Sequence, residues 1–369
     1  MNECTVKRVL MTADTVGGVW NFALELAQAL DAYGIEITLA ALGGEPSEVQ
    51  AAEAAAISNL RLLPSSYKLE WMDDPWGDVQ ESGRWVLDLE RTFEPDVIHL
   101  NSYGHGTLRF RAPVALTAHS CVVSWWAAVK GEPVPARWNR YRQEVENALK
   151  AVDCVIAPSR AMLRMLEENY GPDLPPTRAV PNGRRALQFH PSHKEKLVLG
   201  AGRLWDEGKN IAALAHAAER LPWPVYVAGA SQNSGGETTG LGACHALGPL
   251  SSAALAAWYG KAAIFTHPAR YEPFGLCVLE AALSGCALVL GDIESLREIW
   301  GDGALYVPPD DREWLETSIR ELIENPALRA RLALRSQARA HAFTPENMAG
   351  QYLEIYTTLA AHRRTQCVS

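Results

Sequence analysis

The sequence predicts an α/β protein built from two doubly wound units with parallel sheets. Three observations carry that expectation. Short β-branched runs alternate with helical stretches along the chain, the signature of parallel strands joined by crossover helices. The alternation breaks once, at the turn formers and charges of Pro181 to Lys196, and then restarts. A length of 369 residues, at roughly 100 to 200 per domain, accommodates two such units.

The first unit opens with the strand KRVLM, followed by a helix whose Phe22, Leu26 and Leu30 form one apolar stripe. IEITLAAL, DVIHL, PVALTA and DCVIAP follow as strands, and in WMDDPW Asp74 reads as an N-cap with Pro75 at the first helical position. Past the break come KLVLGAG, a helix from about Asn210 to Arg220, PVYVAG, a helix across SSAALAAWYG, AAIFTHP, a helix from about Gly275, and ALVLGD. The tail from Asp311 is helical, with new helices starting after Asn325-Pro326 and Thr344-Pro345. This divides the chain into 1–190, 191–345 and a final helix, 346–369, packing back on the first domain.

Composition narrows the function classes. Apolar residues make up 48% and charged residues 21%, so the chain buries a core rather than remaining disordered. A net charge of -9 leaves no global positive field for nucleic acid, and at most weak peripheral contact with a membrane is expected. The seven cysteines are odd in number and never spaced as CxxC, which disfavours a disulfide framework and a zinc ribbon. With MNECTVKRVLMTADT reading as a first strand rather than a signal peptide, a cytoplasmic location is expected. The run of Arg329, Arg331, Arg335 and Arg339 reads as a solvated helix face, because the leucines around it make no opposing stripe.

In doubly wound units ligands bind beyond the carboxyl ends of the strands, so chemistry is sought in the residues just after them. Gly17 and Gly18 follow the first strand, where bare amides approach a phosphate or simply turn the chain; two adjacent glycines do not make a GxGxxG fingerprint. In GRLWDEGKN five residues separate the leading glycine from Gly208-Lys209, where a Walker loop has four, and Asn210 replaces the magnesium-binding Ser or Thr. Arg203 and Lys209 remain as two cations able to clamp a diphosphate, or to pair with Asp206 and Glu207. EPFGLCVLE places Glu272 before the helix-start amides of Phe274, Gly275 and Leu276, with Glu280 along the helix. Eight residues of helix would hold the two carboxylates about 12 Å apart, too far for a glycosidase pair, so they read as separate hydroxyl-binding groups. Asp73-Asp74 reads as a cap rather than a metal site. Trp125 and Trp126, close after His119, are the aromatic pair suited to stacking on an acceptor.

These residues together resemble glycosyltransferase family 4, the retaining nucleotide-sugar enzymes of GT-B fold. The resemblance rests on Gly17-Gly18, the PNG of Pro181 to Gly183, GRLWDEGKN, EPFGLCVLE, SGCALVLGD and YVPPDD. It implies two Rossmann-like domains facing across a cleft, the donor mainly on the second and the acceptor mainly on the first. It also implies that Arg203 and Lys209 neutralise the donor diphosphate, that Glu280 binds ribose, that Glu272 contacts the donor sugar, and that His119 lies beside that sugar. Members commonly carry four residues between this arginine and lysine, and here there are five, which makes Arg203 the more critical of the two cations.

The expected activity is metal-independent transfer of a sugar from a nucleoside-diphosphate sugar to the hydroxyl of a sugar, glycolipid or small molecule, with no cofactor. A nucleotide-sugar epimerase or phosphorylase of the same fold, or a catalytically silent scaffold, are the alternatives. The polar loop ASQNSGGETTG is a further candidate for nucleotide contacts.

Overall fold

The computed structural model describes residues 6–232, 236 and 238–368, so the loop 230–240 lies partly outside the described residues. The chain divides into two units. The first comprises the described residues of Met1–Trp126, Glu132–Gly183 and Pro345–Ser369, the second Ala127–Gly131 and Arg184–Thr344. The division after Gly183 falls earlier than the expected 190, for a local reason. The Gly183 N–H points to the Met348 sulfur, whereas the Arg184 N–H donates to Phe343 O at 3.0 Å.

In the first unit the strands are β1 (Arg8–Asp14), β2 (Glu36–Leu42), β3 (Leu60–Leu63), β4 (Val97–Leu100), β5 (Val114–Thr117), β6 (Cys154–Ala157) and β7 (Thr177–Ala179). They form one parallel sheet in the order β3-β2-β1-β4-β5-β6-β7. VIHL, VALT and CVIA are buried at every position, as strands covered on both faces must be. Phe22, Leu26 and Leu30 of the helix Gly18–Leu30 are all buried, and they share a core with Met348, Tyr352, Ile355 and Tyr356 of the helix Pro345–Val368. That final helix belongs to the first unit.

The second unit holds β8 (Glu195–Ala201), β9 (Val225–Ala228), β10 (His245–Gly248), β11 (Ala262–His267), β12 (Ala287–Gly291) and β13 (Ala304–Val307), parallel and ordered β10-β9-β8-β11-β12-β13. Successive side chains sort to opposite faces with the period of two that a strand imposes. Leu199, Phe265, Leu288 and Leu290 pack with Val278 and Leu279 of the helix Leu276–Leu283. Val198, Ile264, Ala287 and Val289 pack on the other side with Leu214, Leu315 and Ile319. Each of these valine, leucine, isoleucine and phenylalanine side chains, fully buried, contributes about 1.5–3 kcal/mol to the burial term that drives folding.

Two local expectations are corrected. Asp74 is not the helix cap: it sits at φ 42, in the left-handed region, and Pro75 occupies the cap position of the helix Trp76–Phe93 without a side-chain cap bond. The arginine run of the helix Pro326–Ala340 is not merely solvated. Arg329 donates to the carbonyls of Leu322 and Ile323, near the end of the helix Arg312–Glu324, and Arg339 donates to those of Glu298 and Ile299, near the end of the helix Glu294–Trp300. Cations there satisfy carbonyls that a helix end leaves without partners.

Candidate active site

In the second unit β8 lies between β9 and β11, and the chain leaves β8 toward β9 on one side and β11 toward β12 on the other. The crevice outside the carboxyl ends of β8 and β11 is therefore the switch point where doubly wound sheets hold ligands. GRLWDEGKN leaves β8 there, and Pro268 to Gly275 leave β11.

The extra residue of the first loop is absorbed in a tight turn. Asp206 caps the 3₁₀ turn Glu207–Lys209, its Oδ1 accepting the Gly208 N–H at 2.9 Å, while its Oδ2 accepts Arg203 Nη2 at 3.2 Å. Asn210 then takes φ 56, where Asn is one of the few side chains tolerated. Its Nδ2 donates to Pro268 O (2.9 Å) and Pro309 O (2.7 Å), and its Oδ1 accepts Arg270 Nη1 at 2.8 Å. The amide N–H of Arg270 also donates to Gly208 O at 2.9 Å. The two loops are thus joined directly, and Asn210 serves the fold where a P-loop residue would serve a metal.

This joining makes a testable point about stability. Asn210→Ala removes three side-chain hydrogen bonds and leaves a β-carbon-bearing residue in the left-handed region, at an expected cost of about 2–4 kcal/mol. Asn210→Gly restores the backbone freedom alone and is expected to recover about 1 kcal/mol of it. Urea denaturation measures both, and a loss in the alanine variant below about 0.5 kcal/mol would contradict the structural role.

Lys209 is brought onto Glu272, its Nζ donating to Oε2 at 2.7 Å, with side chains only 13% and 11% exposed. The same oxygen lies 3.0 Å from His267 Nε2, at the end of β11. Burial opposes ionisation of Glu272, but the Lys209 charge and the His267 hydrogen bond outweigh it and hold the carboxyl well below the usual range. Burial likewise works against the Lys209 ammonium, and the charges of Glu272 and Asp206 overcome it, raising the lysine's pKa. Arg203 is more open, 42% exposed, with its guanidinium over Trp205.

Gly275 opens the helix Leu276–Leu283 at φ 88, and a β-carbon there would meet Val278 Cγ2 at 3.0 Å and Glu272 Cγ at 3.4 Å. Only glycine lets the chain turn so close to that carboxylate. The Phe274 amide faces Glu272 Oε1 at 3.4 Å while its ring is buried against Phe343, and Ser295 Oγ holds the Glu272 carbonyl at 2.6 Å. Glu280, on the same helix, is buried and accepts Arg184 Nε and Nη2, each at 2.8 Å.

Glu272, His267 and Cys277 bring ligand-type atoms within 4.8 Å of one another, yet they do not suit a metal ion. An ammonium already occupies the carboxylate, and His267 turns Nε2 to Glu272 and Nδ1 to Cys277, 3.9 Å away, so one ion could not use both sides of the ring. Burial, with the Glu272 charge beside it, pushes the Cys277 thiol far above its usual pKa and keeps it protonated.

In the first unit Gly17 and Gly18 stand where β1 gives way to its helix. Gly17 has φ 112, no side-chain cap is made, and nothing lies within 4 Å of where its β-carbon would be. His119 follows β5; its Nε2 lies 2.8 Å from Asn101 Oδ1, and its ring meets Phe22 edge-on at 4.5 Å. Burial pushes its pKa down to about 3 and keeps it neutral. Trp125 and Trp126 pack against each other on the helix Val122–Lys130, both half-buried. Thus Arg203, Lys209, Glu272, the Phe274–Leu276 amides and Glu280 belong to the second unit, whereas Gly17, Gly18, His119 and the tryptophans belong to the first.

Sequence reasoning missed several partners. Asp206 and Asn210 were visible only as a counter-charge and a replaced motif residue, and Arg184 lay in a stretch read as a linker. His267, the last residue of β11 before Pro268, carried a positional signal; Asn101, directly after β4, carried one too.

Known proteins bear on this site. The family profile described as Glycosyltransferase Family 4 matches residues 16–185, and that described as Glycosyl transferases group 1 matches residues 195–325. A D-inositol 3-phosphate glycosyltransferase of Xylanimonas cellulosilytica is 26% identical over 396 residues, covering 94% of this chain and 93% of its own. A glycogen synthase of Mycobacterium tuberculosis is 27% identical over 309 residues, covering 75% of this chain and 72% of its own. Among solved structures, a sucrose-phosphate synthase from Thermosynechococcus elongatus superposes with a TM-score of 0.81 at 19% identity, covering 96% of this chain and 100% of that one. HepE of Anabaena in complex with UDP and glucose superposes at 0.73 with 17% identity, covering 95% and 100%. Two profiles that divide the chain almost where the fold divides, and two sheets of this order, lead to one conclusion: the chain belongs to the family 4 glycosyltransferases, enzymes of GT-B fold.

Proposed function

We propose that this glycosyltransferase moves a sugar from a nucleoside-diphosphate sugar to an acceptor hydroxyl, with retention of anomeric configuration and without a metal ion. The observation that carries the reading is the buried Lys209–Glu272–His267 cluster beside Arg203 at the carboxyl ends of β8 and β11. Arg203, Lys209 and the amides at the start of the helix Leu276–Leu283 supply the positive potential for a diphosphate. Glu272 keeps its charge and offers it to hydroxyls of the transferred sugar; Glu280, oriented by Arg184, takes the ribose.

A carboxylate whose pKa is held this low is a weak nucleophile, and Glu272 is already committed to Lys209 and His267. This supports front-face attack, in which the acceptor approaches on the side the diphosphate leaves and that diphosphate helps take the acceptor proton. The cations then stabilise the departing charge. His119, Trp125 and Trp126 belong to the sugar and acceptor side of the reaction. HepE was crystallised with UDP and glucose, which makes UDP-glucose the first donor to try. A cytoplasmic setting agrees with the free thiols of Cys121, Cys154, Cys244, Cys277 and Cys286, and no helix among the described residues is long and apolar enough to cross a membrane.

Screening UDP-, GDP- and ADP-sugars by thermal shift and then by transfer tests the reading. Transfer is expected to survive EDTA undiminished, since two cations and the helix-start amides stand where a metal would. Complete loss, restored by magnesium, would show that the diphosphate is held through an ion.

A further inference from the structure

The second unit treats the two carboxylate oxygens of Glu272 differently. Oε2 takes both strong partners, Lys209 Nζ at 2.7 Å and His267 Nε2 at 3.0 Å. Oε1 has only the Phe274 amide, at 3.4 Å, beyond the usual span of an N–H···O bond. A carboxylate oxygen can only accept, so His267 Nε2 carries a ring proton. The other ring nitrogen, Nδ1, lies 3.9 Å from Cys277 Sγ, and burial keeps that thiol protonated, able to donate to a bare nitrogen. The imidazole is 1% exposed, and the Phe265 ring lies nearly parallel to it on the same strand. Backbone anchoring completes the frame, with Ser295 Oγ on the Glu272 carbonyl at 2.6 Å.

We propose that His267 is a positioning residue: as the Nε2–H tautomer, with Cys277 donating to Nδ1, it pins Oε2 of Glu272 beside Lys209 and leaves Oε1 as the acceptor for a hydroxyl of the transferred sugar. Lys209 alone does not impose this division, because an ammonium on a flexible four-carbon stem donates equally well to either oxygen. A planar ring on the last residue of β11 removes the choice. All the residues involved belong to the second unit. The ownership of Oε1 by a sugar rests on the glycosyl-transfer reading; the tautomer and the pinning of Oε2 do not.

Long-range ¹H–¹⁵N spectra of the full chain at pH 8, with His267 assigned by difference from His267→Gln, read the tautomer without any ligand. The wild type is expected to show a proton on Nε2 and a bare Nδ1, and Cys277→Ala to shift the Nδ1 resonance while Nε2 keeps its proton. His267→Leu is expected to lower kcat with the active donor about tenfold and to leave nucleoside diphosphate affinity unchanged. His267→Gln, whose side-chain N–H reaches the place of Nε2, is expected to recover most of that loss. A proton on Nδ1 in the wild type overturns the proposal even where neither variant folds, and so does an Nδ1 resonance indifferent to Cys277→Ala. A leucine variant with unchanged turnover, with weakened diphosphate binding, or with more activity than the glutamine variant, the order that packing alone would give, overturns it too. A wild type that shows the expected tautomer but binds neither UDP, GDP nor ADP refutes the transfer reading and, with it, the sugar as owner of Oε1.

Discussion

Glu272→Gln is expected to lower kcat about a hundredfold while free nucleoside diphosphate binds as tightly as to the wild type, or more tightly. Glutamine keeps an oxygen that accepts from Lys209 and His267, so the buried cluster retains its hydrogen bonds and the fold is spared. The carboxylate charge is gone, and with it the anion that competes with a diphosphate for Lys209. Binding of the part of the donor that does not react is therefore preserved, and the loss falls on alignment of the transferred sugar, which appears in kcat. Titration calorimetry with the free diphosphate beside steady-state kinetics separates the two effects. A variant that loses diphosphate affinity with kcat intact would place Glu272 on the phosphates instead.

The second large effect concerns the cations. Counted along the sequence, the additional loop residue made Arg203 the more critical. We propose the opposite order, because the 3₁₀ turn capped by Asp206 delivers Lys209 into the buried cluster, whereas Arg203 is 42% exposed. Lys209→Ala removes a preorganised charge and leaves the buried Glu272 carboxylate without its cation, held only by His267 and the Phe274 amide, an expected loss of about a hundredfold in kcat/KM. Arg203→Ala, whose charge is screened by solvent, is expected to cost about tenfold. With folding checked by circular dichroism, a lysine variant milder than the arginine variant would restore the sequence-based ranking.

Much of the architecture was legible because parallel strands and crossover helices leave strong local marks. VIHL, VALT, CVIA and ALVLG are apolar runs bounded by turn signals, and Asn325-Pro326 starts a helix at the expected place, with Asn325 Oδ1 accepting the Leu328 N–H at 3.0 Å. Less legible were features decided by tertiary partners. Nothing in WMDDPW distinguishes an Asp cap from an Asp at positive φ, since Asp suits both and Pro75 tolerates either. The role of Arg184 depends on Glu280, 96 positions away in the chain, and that of Asn101 on a carbonyl of β1. Glu272 and Glu280 stood out as types and positions, but the ion pairs that set their chemistry come from other elements. A motif names the groups; the loops that fold onto it decide which of them are charged, shared or open.

The measurement closest to the centre of this account is a calorimetric titration of UDP, GDP and ADP into the full chain in EDTA, repeated with Lys209→Ala. One of the three nucleotides is expected to bind the wild type with a single-site isotherm, and the alanine variant to weaken that binding about tenfold or more. A wild type that binds none of them without metal, or a variant that binds as well as the wild type, would contradict it.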